Sequence, residues 1–393
     1  MKGYKRADGR IGIRNHVAII YTVKCAEHVA KKISQAVDGT QVFGYDSCYP
    51  DPYGFRVIAE MAKHPNIASV IFVKLGCESS PVSKWVAEVQ ESGKDVHLLE
   101  IQTDGGTVKT IEKGIKIATC YVEKAKETTI VEIGYNDLII GVECGGSDAT
   151  SGLAANPVTG NAMDKFIASG GICIFSELPE LLGTDRYILE HAKNDTVRED
   201  IKDGLYRAQK MGNLLKTFAV SAGNEKSGLT TIEEKSLGAL CKAGSSIIEG
   251  VIKTAERPEK CGLYLQDKIG TVDSNQLTIY EESDNDGFAA LIASGAHIII
   301  FTTGCGNVVG SVVSPVIKVC GNPQKIAIMG DDFDIDASPV VQGANTIDKI
   351  GDHLMKEIRR ICEGGQTRAE DLGHEEYHIL RKFVRACDVK YIV

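Results

Sequence analysis

Three cysteines follow apolar runs that are typical of buried strands. Cys48 and Cys77 each come three residues after such a run, and Cys144 closes the run 138–144 ahead of two glycines. Thiols on separate strand ends could hold an iron–sulfur cluster that keeps one iron open to substrate, or a single metal ion. No Cys-x-x-Cys pair occurs in the sequence, so packing as small buried side chains explains the three equally well.

The turn that follows Cys144 has the composition of an anion-binding loop. Its residues that could contact a substrate are Gly145, Gly146, Ser147, Ser151 and Asn156. Asn156 is expected to cap a helix that has Pro157 at its first position, and the free N–H groups of such a helix start favour a carboxylate or a phosphate. Asp148 could move a proton here, whereas a well-capped structural turn accounts for the same residues.

Polar residues at three further places are candidates for chemistry. Glu177 follows an apolar run and could act as a general base, although a solvated surface carboxylate is the more frequent explanation. Thr230 is expected to cap a helix over 231–242, from which Lys235 could reach a substrate carboxylate or extend into solvent. Thr303 begins a glycine turn at a strand end, and we expect it to contact the substrate.

Composition excludes several classes of protein. The chain has 393 residues, of which 43% are hydrophobic and 25% are charged, and no apolar run is long enough to cross a bilayer. A net charge of −9 argues against nucleic acid as the main partner. The N-terminal residues lack the apolar segment of a signal peptide, so we expect a cytoplasmic protein.

Twelve cysteines do not indicate disulfides in a chain that is neither small nor secreted. Those outside the three turns are expected to be reduced thiols that pack as small apolar side chains. Cys25 lies just after the run 17–23. It could be a functional thiol or a core residue, and the core role is favoured.

The pattern of apolar and polar residues predicts an α/β fold. From residue 17 to 126, four strands alternate with four helices, which implies a parallel sheet covered by helices on both faces. Further strands are predicted at 138–144, 171–176, 262–266, 297–302 and 325–329. Further helices are predicted at 198–217, 231–242, 347–362 and 375–387. We expect two Rossmann-like, three-layer α/β/α domains, 1–128 and 129–393, with mainly parallel sheets and the active site between them at the carboxyl ends of the strands.

In its motifs the chain resembles the large, catalytic part of the altronate and galactarate dehydratase family. The matching motifs include Gly3-Tyr-x-Arg-x-Asp-Gly-Arg10, Leu75-Gly-Cys-Glu78, Cys144-Gly-Gly-Ser-Asp148, Ser176-Glu-x-Pro-Glu180 and Phe301-Thr-Thr-Gly304. The chain is also similar to the large subunit of two-subunit sulfolactate sulfo-lyases. It departs from the family pattern at Gly44-Tyr-Asp-Ser-Cys48, Asn224-Glu-Lys-Ser-Gly228 and Thr302-Thr-Gly-Cys305-Gly306, and we expect these changes to affect the substrate more than the reaction class.

The resemblance implies a hydro-lyase that removes water from a small hydroxy carboxylic acid. It also implies iron as a Lewis acid, either in a [4Fe–4S] cluster or as mononuclear Fe²⁺. The expected metal ligands are Cys48, Cys77 and Cys144. The expected catalytic residues are Asp148, Glu177 and Lys235. A separate small subunit of the SAF type is implied as partner, and we expect an oligomer.

Two other functions are compatible with these residues. One is a carbon–sulfur lyase that releases sulfite from a sulfolactate-like acid. The other is a non-catalytic subunit that binds a hydroxy acid for a partner, which the missing histidine ahead of Cys48 favours and the intact glycine–cysteine turns oppose.

Overall fold

The computed structural model describes residues 1–48, 52–215, 226–229, 231–269 and 283–379. Within these ranges the chain forms two α/β units, each built on a parallel sheet, together with one small antiparallel sheet. None of the helices in these ranges combines the length and the apolar character that a membrane span requires.

The N-terminal unit alternates strands and helices. Its strands, with those of the small antiparallel sheet, are β1 (Lys2–Lys5), β2 (Ile11–Gly12), β3 (His16–Tyr21), β4 (Thr40–Gly44), β5 (Ile67–Lys74), β6 (Asp95–Glu100) and β7 (Ile130–Glu132). Its helices are α1 (Glu27–Gln35), α2 (Pro52–Lys63), α3 (Val82–Glu91) and α4 (Thr107–Ala125). The order β4-β3-β5-β6 is parallel throughout, so the four carboxyl ends meet at one edge. β1 pairs antiparallel with β2 and with β7.

Helices cover both faces of the four-stranded sheet because its strands are apolar on both sides. α1 and α4 pack on one face, around Ile33 and Leu99. α2 and α3 pack on the other face, where Trp85 stacks on Phe55 and Phe72 with ring centroids 5.2 and 6.0 Å away.

The C-terminal unit contains the larger sheet. Its strands are β8 (Ile139–Cys144), β9 (Ile172–Phe175), β10 (Ile248–Lys253), β11 (Gly262–Asp267), β12 (Ile298–Thr303), β13 (Val316–Cys320) and β14 (Ile335–Asp336). Its helices are α5 (Asn156–Ala168), α6 (Asp185–Glu190), α7 (Asp195–Leu215), α8 (Ile232–Leu240), α9 (Asp284–Ala293), α10 (Pro323–Met329), α11 (Ser338–Val341), α12 (Ile347–Cys362) and α13 (Arg368–Leu372). The fold is therefore α/β with parallel sheets, as the sequence predicts.

β8 lies at the centre of this sheet, whose order is β10-β11-β9-β8-β12-β13-β14. Every neighbouring pair is parallel. From β8 the chain passes to β9 on one side and later returns to β12 on the other side. A reversal of this kind opens a crevice at the carboxyl ends of the strands, where ligands bind. The crevice lies at the end of β8, at Cys144.

A buried junction joins the two units. α2 packs against α9, and Phe288 and Ile292 of α9 belong to the same apolar cluster as Phe72 of β5. Asn66, just ahead of β5, donates its side-chain amide to the carbonyl oxygen of His297 at 3.2 Å. The apolar core is consequently continuous from one sheet to the other.

The structure corrects two predictions of local structure. The run 325–329 belongs to a helix, α10, and not to a strand, because Asn322 caps the helix and Pro323 suits its first turn. Asn156 does not cap α5. A π-helical turn over Ser151–Ala155 runs directly into α5, which leaves Asn156 inside the helical segment and frees its side-chain amide for other contacts.

Two further helix predictions differ from the structure in the residues they assign to the helix. The cap of α8 is Thr231, whose hydroxyl accepts a hydrogen bond from the Glu234 N–H at 3.2 Å, and Thr230 lies outside the described residues. Of the helix predicted at 375–387, residues 375–379 are not helical and the remainder lies outside the described residues.

Candidate functional site

Cys144 ends the central strand β8 and is buried, with 2% of its surface exposed. Its sulfur is surrounded by charged groups. Lys242 Nζ lies 3.1 Å away and Lys235 Nζ lies 3.2 Å away. Glu180 Oε2 is at 3.4 Å, and both carboxylate oxygens of Glu177 are at 3.6 Å. We call these five residues the thiol–lysine cluster.

Both lysines come from one helical segment. Lys235 lies on α8, and Lys242 lies seven residues later in the 3₁₀ turn Cys241–Ala243 that continues it, so both side chains point to one face. Each pairs with a carboxylate, Lys235 Nζ with Glu180 Oε2 at 2.7 Å and Lys242 Nζ with Glu177 Oε2. Two buried ammonium groups are thereby compensated by two buried carboxylates.

The two carboxylates also come from one segment. Glu177 follows β9 and immediately precedes the 3₁₀ turn Leu178–Leu181, which contains Glu180. Residues three apart in a 3₁₀ helix face the same side, so both carboxylates point at Cys144. Glu177 adopts a left-handed backbone conformation with φ = +72°. Such a conformation costs about 1–3 kcal/mol in a residue other than glycine, and it is concentrated at functional sites.

A second group of titratable side chains, Glu143 and Lys268, lies on the opposite face of β8. Successive side chains of a strand alternate, so Glu143 points away from the thiol–lysine cluster. It accepts a hydrogen bond from the Ser176 hydroxyl, and Lys268 Nζ lies 3.6 Å from its Oε1. Gly287 of α9 packs so closely that a Cβ there would lie 2.2 Å from Glu143 Oε1.

Burial and neighbouring charges determine the protonation states in both groups. Burial raises the pKa of the Cys144 thiol to about 12, with Glu177 adding to the shift and Lys235 opposing it. Burial likewise raises the pKa of Glu143 well above its ordinary value. Burial alone would raise the pKa of Glu177, yet the ammonium groups of Lys242 and Lys235 lower it below its ordinary value. Near neutral pH the site thus holds a thiol, a protonated Glu143 and an ionised Glu177 beside two ammonium groups.

A pocket of about 350 Å³ opens beside the cluster. Lys235 forms part of its wall, together with residues of the glycine loop and of α8. Its polar lining includes Ser147, Asp148, Ser151, Asn156 and Glu234. Lys235 also donates a hydrogen bond to Ser147 Oγ at 2.8 Å, so this lysine links the pocket to Cys144.

Asp148 shapes the loop between Cys144 and α5. Its Oδ1 accepts hydrogen bonds from the backbone N–H groups of Thr150 at 2.8 Å and Ser151 at 3.1 Å, and from the Thr150 hydroxyl. Its Oδ2 accepts one from the Asn322 amide at 2.8 Å. A carboxylate engaged in this way holds the loop in place.

The remaining predicted substrate-binding residues support the same loop. Asn156 accepts a hydrogen bond from the Thr302 hydroxyl and donates one to Gly238 O at 2.8 Å. The Thr303 hydroxyl donates to Gly146 O at 3.3 Å, and Gly146 has a positive φ of 60°. A Cβ at Gly145 would lie 2.5 Å from Asp284 Oδ2.

The three cysteines predicted as metal ligands occupy two different environments. Cys144 is buried in the C-terminal unit, whereas Cys48 and Cys77 are exposed in the N-terminal unit. Their loops touch, since the Ser79 N–H donates to Cys48 O at 3.0 Å. Cys25 is also exposed, so the core role favoured for it is wrong.

In the described part of the chain, one group of three or more potential ligands has its ligand atoms within 4.8 Å of one another: Cys144, Glu177 and Glu180. This group could hold a metal ion. Lys235 and Lys242 nevertheless direct their ammonium groups at the same sulfur and carboxylate oxygens, and a cation would have to displace both. As arranged, the donor set fits a pair of ammonium groups better than it fits a metal ion.

Sequence reasoning singled out Cys144, Glu177 and Lys235, which the structure brings together, but it missed Glu180 and Lys242. Two signals could have identified them. Glu180 follows Glu177 at the spacing of one 3₁₀ turn, and Lys242 follows Lys235 at the spacing of two helical turns.

Comparisons with known proteins cover almost the whole chain. Residues 135–385 match the family model described as D-galactarate/altronate dehydratase, C-terminal. Residues 3–126 match the model described as D-galactarate dehydratase/altronate hydrolase, second domain.

Among individual relatives, the chain is 32% identical to the (2R)-sulfolactate sulfo-lyase subunit beta of Chromohalobacter salexigens, over 98% of each chain. It is 28% identical to the altronate dehydratase of Escherichia coli, over 97% of this chain and 77% of that protein. It is 27% identical to the galactarate dehydratase (L-threo-forming) of Escherichia coli, over 94% of this chain and 74% of that protein.

Proposed function

Because the chain belongs to the D-galactarate/altronate dehydratase family, we propose that it is a lyase that eliminates water from a small hydroxy carboxylic acid. The observation that carries this proposal is the thiol–lysine cluster, which lies at the end of the central strand beside the pocket. Elimination next to a carboxylate needs a base and a concentration of positive charge, because the transition state carries the negative charge of an enediolate.

In this proposal the substrate carboxylate binds in the pocket. The Lys235 ammonium group and the Ser147 hydroxyl attract it, and backbone N–H groups of the glycine loop donate hydrogen bonds to it. Gly145 and Gly146 remain proposed substrate contacts, since they directly precede Ser147 in the pocket wall. Asn156, Ser151 and Thr303 hold this loop, and Thr230 remains a proposed substrate contact next to α8.

We assign the proton transfers to Glu177 and Lys235. Glu177 takes the proton from the carbon next to the carboxylate, the C–H electron pair forms the new double bond, and the C–O bond of the neighbouring carbon breaks. The hydroxyl leaves as water with a proton from the Lys235 ammonium group. Transfer of the proton from Glu177 to Lys235 then restores both groups. Asp148 is better suited to positioning the loop than to proton transfer, because both of its oxygens accept hydrogen bonds within it.

A 2-hydroxy group on the substrate would make the first product an enol, which becomes a 2-oxo acid. The experiment measures 2-oxo acid formed from altronate, galactarate and related hydroxy acids by protein prepared without oxygen. A Glu177→Gln variant should lose about 10²–10⁴-fold in kcat. The matched control, Glu190→Gln on exposed α6, should keep full activity. Full activity in Glu177→Gln would eliminate the assigned base.

Release of sulfite is the second candidate reaction. It is supported by the match to a sulfo-lyase subunit over 98% of both chains. Sulfite departs with the electron pair of the broken C–S bond and needs no proton, so the same base would suffice. Sulfite formed from sulfolactate, with no 2-oxo acid formed from sugar acids, would favour this candidate over the dehydratase.

We also propose iron as a Lewis acid and a separate small subunit as partner in the cytoplasm. A Lewis acid would polarise the carboxylate or the leaving hydroxyl of the substrate. The sulfo-lyase relative, which matches this chain over 98% of both proteins, is named as a subunit beta. This name supports a partner subunit for this chain. Co-expression with candidate small proteins of the SAF type, followed by size-exclusion chromatography, tests the partner. Unchanged elution and unchanged kcat with every candidate would contradict it.

A further inference from the structure

We infer that Cys25, Cys48 and Cys77 together bind an iron–sulfur cluster at the carboxyl edge of the N-terminal sheet. This inference rests on the proposed use of iron, but it replaces Cys144 with Cys25 among the ligands. It starts from the order of the strands: Cys48 follows β4, Cys25 follows β3 and Cys77 follows β5, and β3 lies between the other two.

The strand register brings the three chain segments that carry the cysteines to the same level. In the sheet, Tyr21 pairs with Gly44 on one side and with Val73 on the other. Cys25 lies four residues after Tyr21, Cys48 four residues after Gly44 and Cys77 four residues after Val73. Because neighbouring strands are about 4.8 Å apart, the three chain segments leave the sheet side by side over roughly 10 Å.

Contacts between the three segments keep them together beyond the sheet. Lys24, next to Cys25, forms an ion pair of 3.6 Å with Asp46 in the segment of Cys48. Glu78, next to Cys77, accepts a hydrogen bond of 2.6 Å from the Thr22 hydroxyl in the segment of Cys25. The third pair of segments is joined by the hydrogen bond of 3.0 Å from Ser79 N–H to Cys48 O. Each segment is thus tied to both of the others.

The grouping of these exposed thiols points to a ligand. Among the described cysteines, Cys120, Cys241 and Cys261 are exposed as well, so exposure alone does not indicate a ligand. Cys25, Cys48 and Cys77 differ from them because they follow three adjacent strands at one edge of a sheet. Their sulfurs do not form a group within 4.8 Å in the described residues, so they do not surround one ion. A cluster suits them, because each cysteine then binds a different iron and the fourth iron keeps an open position.

The thiol edge faces the C-terminal unit. Burial raises the pKa of Tyr377 well above its ordinary value, and Tyr21, Asp46 and Asp286 beside it add to this shift. Asp286 belongs to the first turn of α9, and burial followed by the Glu177 carboxylate raises the pKa of Asp284, the first residue of this helix, to about 6. The start of α9 therefore carries carboxylates that interact with groups near the thiol edge and with the thiol–lysine cluster.

The experiment measures iron and acid-labile sulfide in the full chain after anaerobic reconstitution, together with visible absorbance and electron paramagnetic resonance. The expected result is about equal amounts of iron and sulfide, with three to four of each per chain. Cys25→Ser, Cys48→Ser and Cys77→Ser should each lose most of the cluster signal. The matched controls are Cys120→Ser, an exposed thiol on α4 of the same unit, and Cys144→Ser, and both should keep the signal.

Iron without sulfide, or a cluster that survives in Cys25→Ser and disappears in Cys144→Ser, would overturn the inference. Far-ultraviolet circular dichroism of each variant separates loss of the cluster from loss of the fold. The cluster readout is independent of lyase activity. A chain that holds the cluster but acts on no hydroxy acid would contradict the proposed function and leave this site standing.

Discussion

At the scale of single residues, the stability of the site depends on compensation of charge. Lys242 is completely buried and pairs with Glu177, which has 4% of its side chain exposed. Removing one partner of such a pair leaves the other charge buried without compensation, which is more costly than losing the pair as a whole. The same pairing keeps Glu177 ionised and therefore able to accept a proton.

Lys242→Met should destabilise the protein by about 3–5 kcal/mol because the Glu177 carboxylate loses its partner in a buried setting. Chemical denaturation followed by circular dichroism measures this change. Lys202→Met is the matched control, since Lys202 is exposed on α7 and pairs only at the surface, and it should cost less than about 1 kcal/mol. Equal effects in the two variants would contradict the assigned charge compensation.

The double variant Lys242→Met/Glu177→Leu provides a second test. It removes both charges, so it should recover a large part of the stability lost in the Lys242→Met variant. It should be inactive, because it lacks Glu177. Stability that falls further in the double variant would mean that the pair is not energetically coupled. The measurement is a double-mutant cycle with Glu177→Leu alone as its fourth corner.

The residues that sequence reasoning identified are those whose local pattern points to a turn at a strand end. Cys144 and Glu177 directly follow apolar runs, and the structure brings them together with Lys235. Local spacing could have identified Glu180 and Lys242 as candidates, but not their pairing, because Lys242 is 65 positions away from Glu177 along the chain. The apolar strand ahead of Cys25 favours a core position for this thiol, but the chain turns outward before reaching it.

At the scale of elements, close approach between α9 and β8 confines the buried carboxyl group of Glu143. Gly287 of α9 leaves space for the Glu143 carboxyl group, which a Cβ would approach to 2.2 Å. Replacing glycine by alanine inside a helix ordinarily stabilises it by up to about 1 kcal/mol. At this position the steric conflict with a buried carboxyl group reverses the expected sign.

Gly287→Ala should therefore lower the free energy of unfolding by about 1–3 kcal/mol, as overpacked cores do. Gly330→Ala is the matched control, because no atom of the described residues lies within 4 Å of its Cβ position and its φ of −56° suits any residue. This control should be neutral or slightly stabilising. The thermal midpoints of the two variants measure the difference, and a stable Gly287→Ala would show that α9 can move away from β8.

The regular part of the fold was accessible from the sequence because the N-terminal unit has one apolar run for each strand and one amphipathic segment for each helix. Prediction failed where a short apolar segment suits either structure. The run 325–329 is apolar enough for a strand, but Asn322 and Pro323 start a helix there. The sequence does not predict β10 and β13, because Gly250 and Lys318 interrupt their apolar pattern.

At the scale of the whole molecule, a histidine at the junction links stability to pH. His297 accepts a hydrogen bond from Ile139 N–H through Nδ1 at 2.9 Å, and its Nε2 lies 2.9 Å from Ile11 O. Burial lowers its pKa to about 4, and burial likewise lowers the pKa of the neighbouring His64 well below its ordinary value. Both rings are therefore neutral in the folded protein at neutral pH.

A histidine whose pKa is lower in the folded state than in the unfolded state stabilises the protein fully above its unfolded pKa of about 6.5. This stabilisation is lost as the pH falls through the pKa of the folded state. The free energy of unfolding should accordingly decrease between about pH 6.5 and pH 4. Urea denaturation across this range measures the decrease. In a His297→Gln variant the slope should be shallower, and an identical slope in both proteins would exclude His297 as a source.

The burial of the thiol–lysine cluster has a consequence for the effect of salt. Mobile ions screen exposed charges over about 8 Å at physiological ionic strength, but they screen pairs that water does not reach far less. Most surface ion pairs of this protein, such as Lys126 with Glu123, should weaken as salt is added. The field that Lys235 and Lys242 impose on the end of β8 should persist. Because each lysine is matched by a carboxylate and the chain carries a net charge of −9, added salt should not slow the arrival of an anionic ligand, and it should leave the rate of the step that follows binding nearly unchanged.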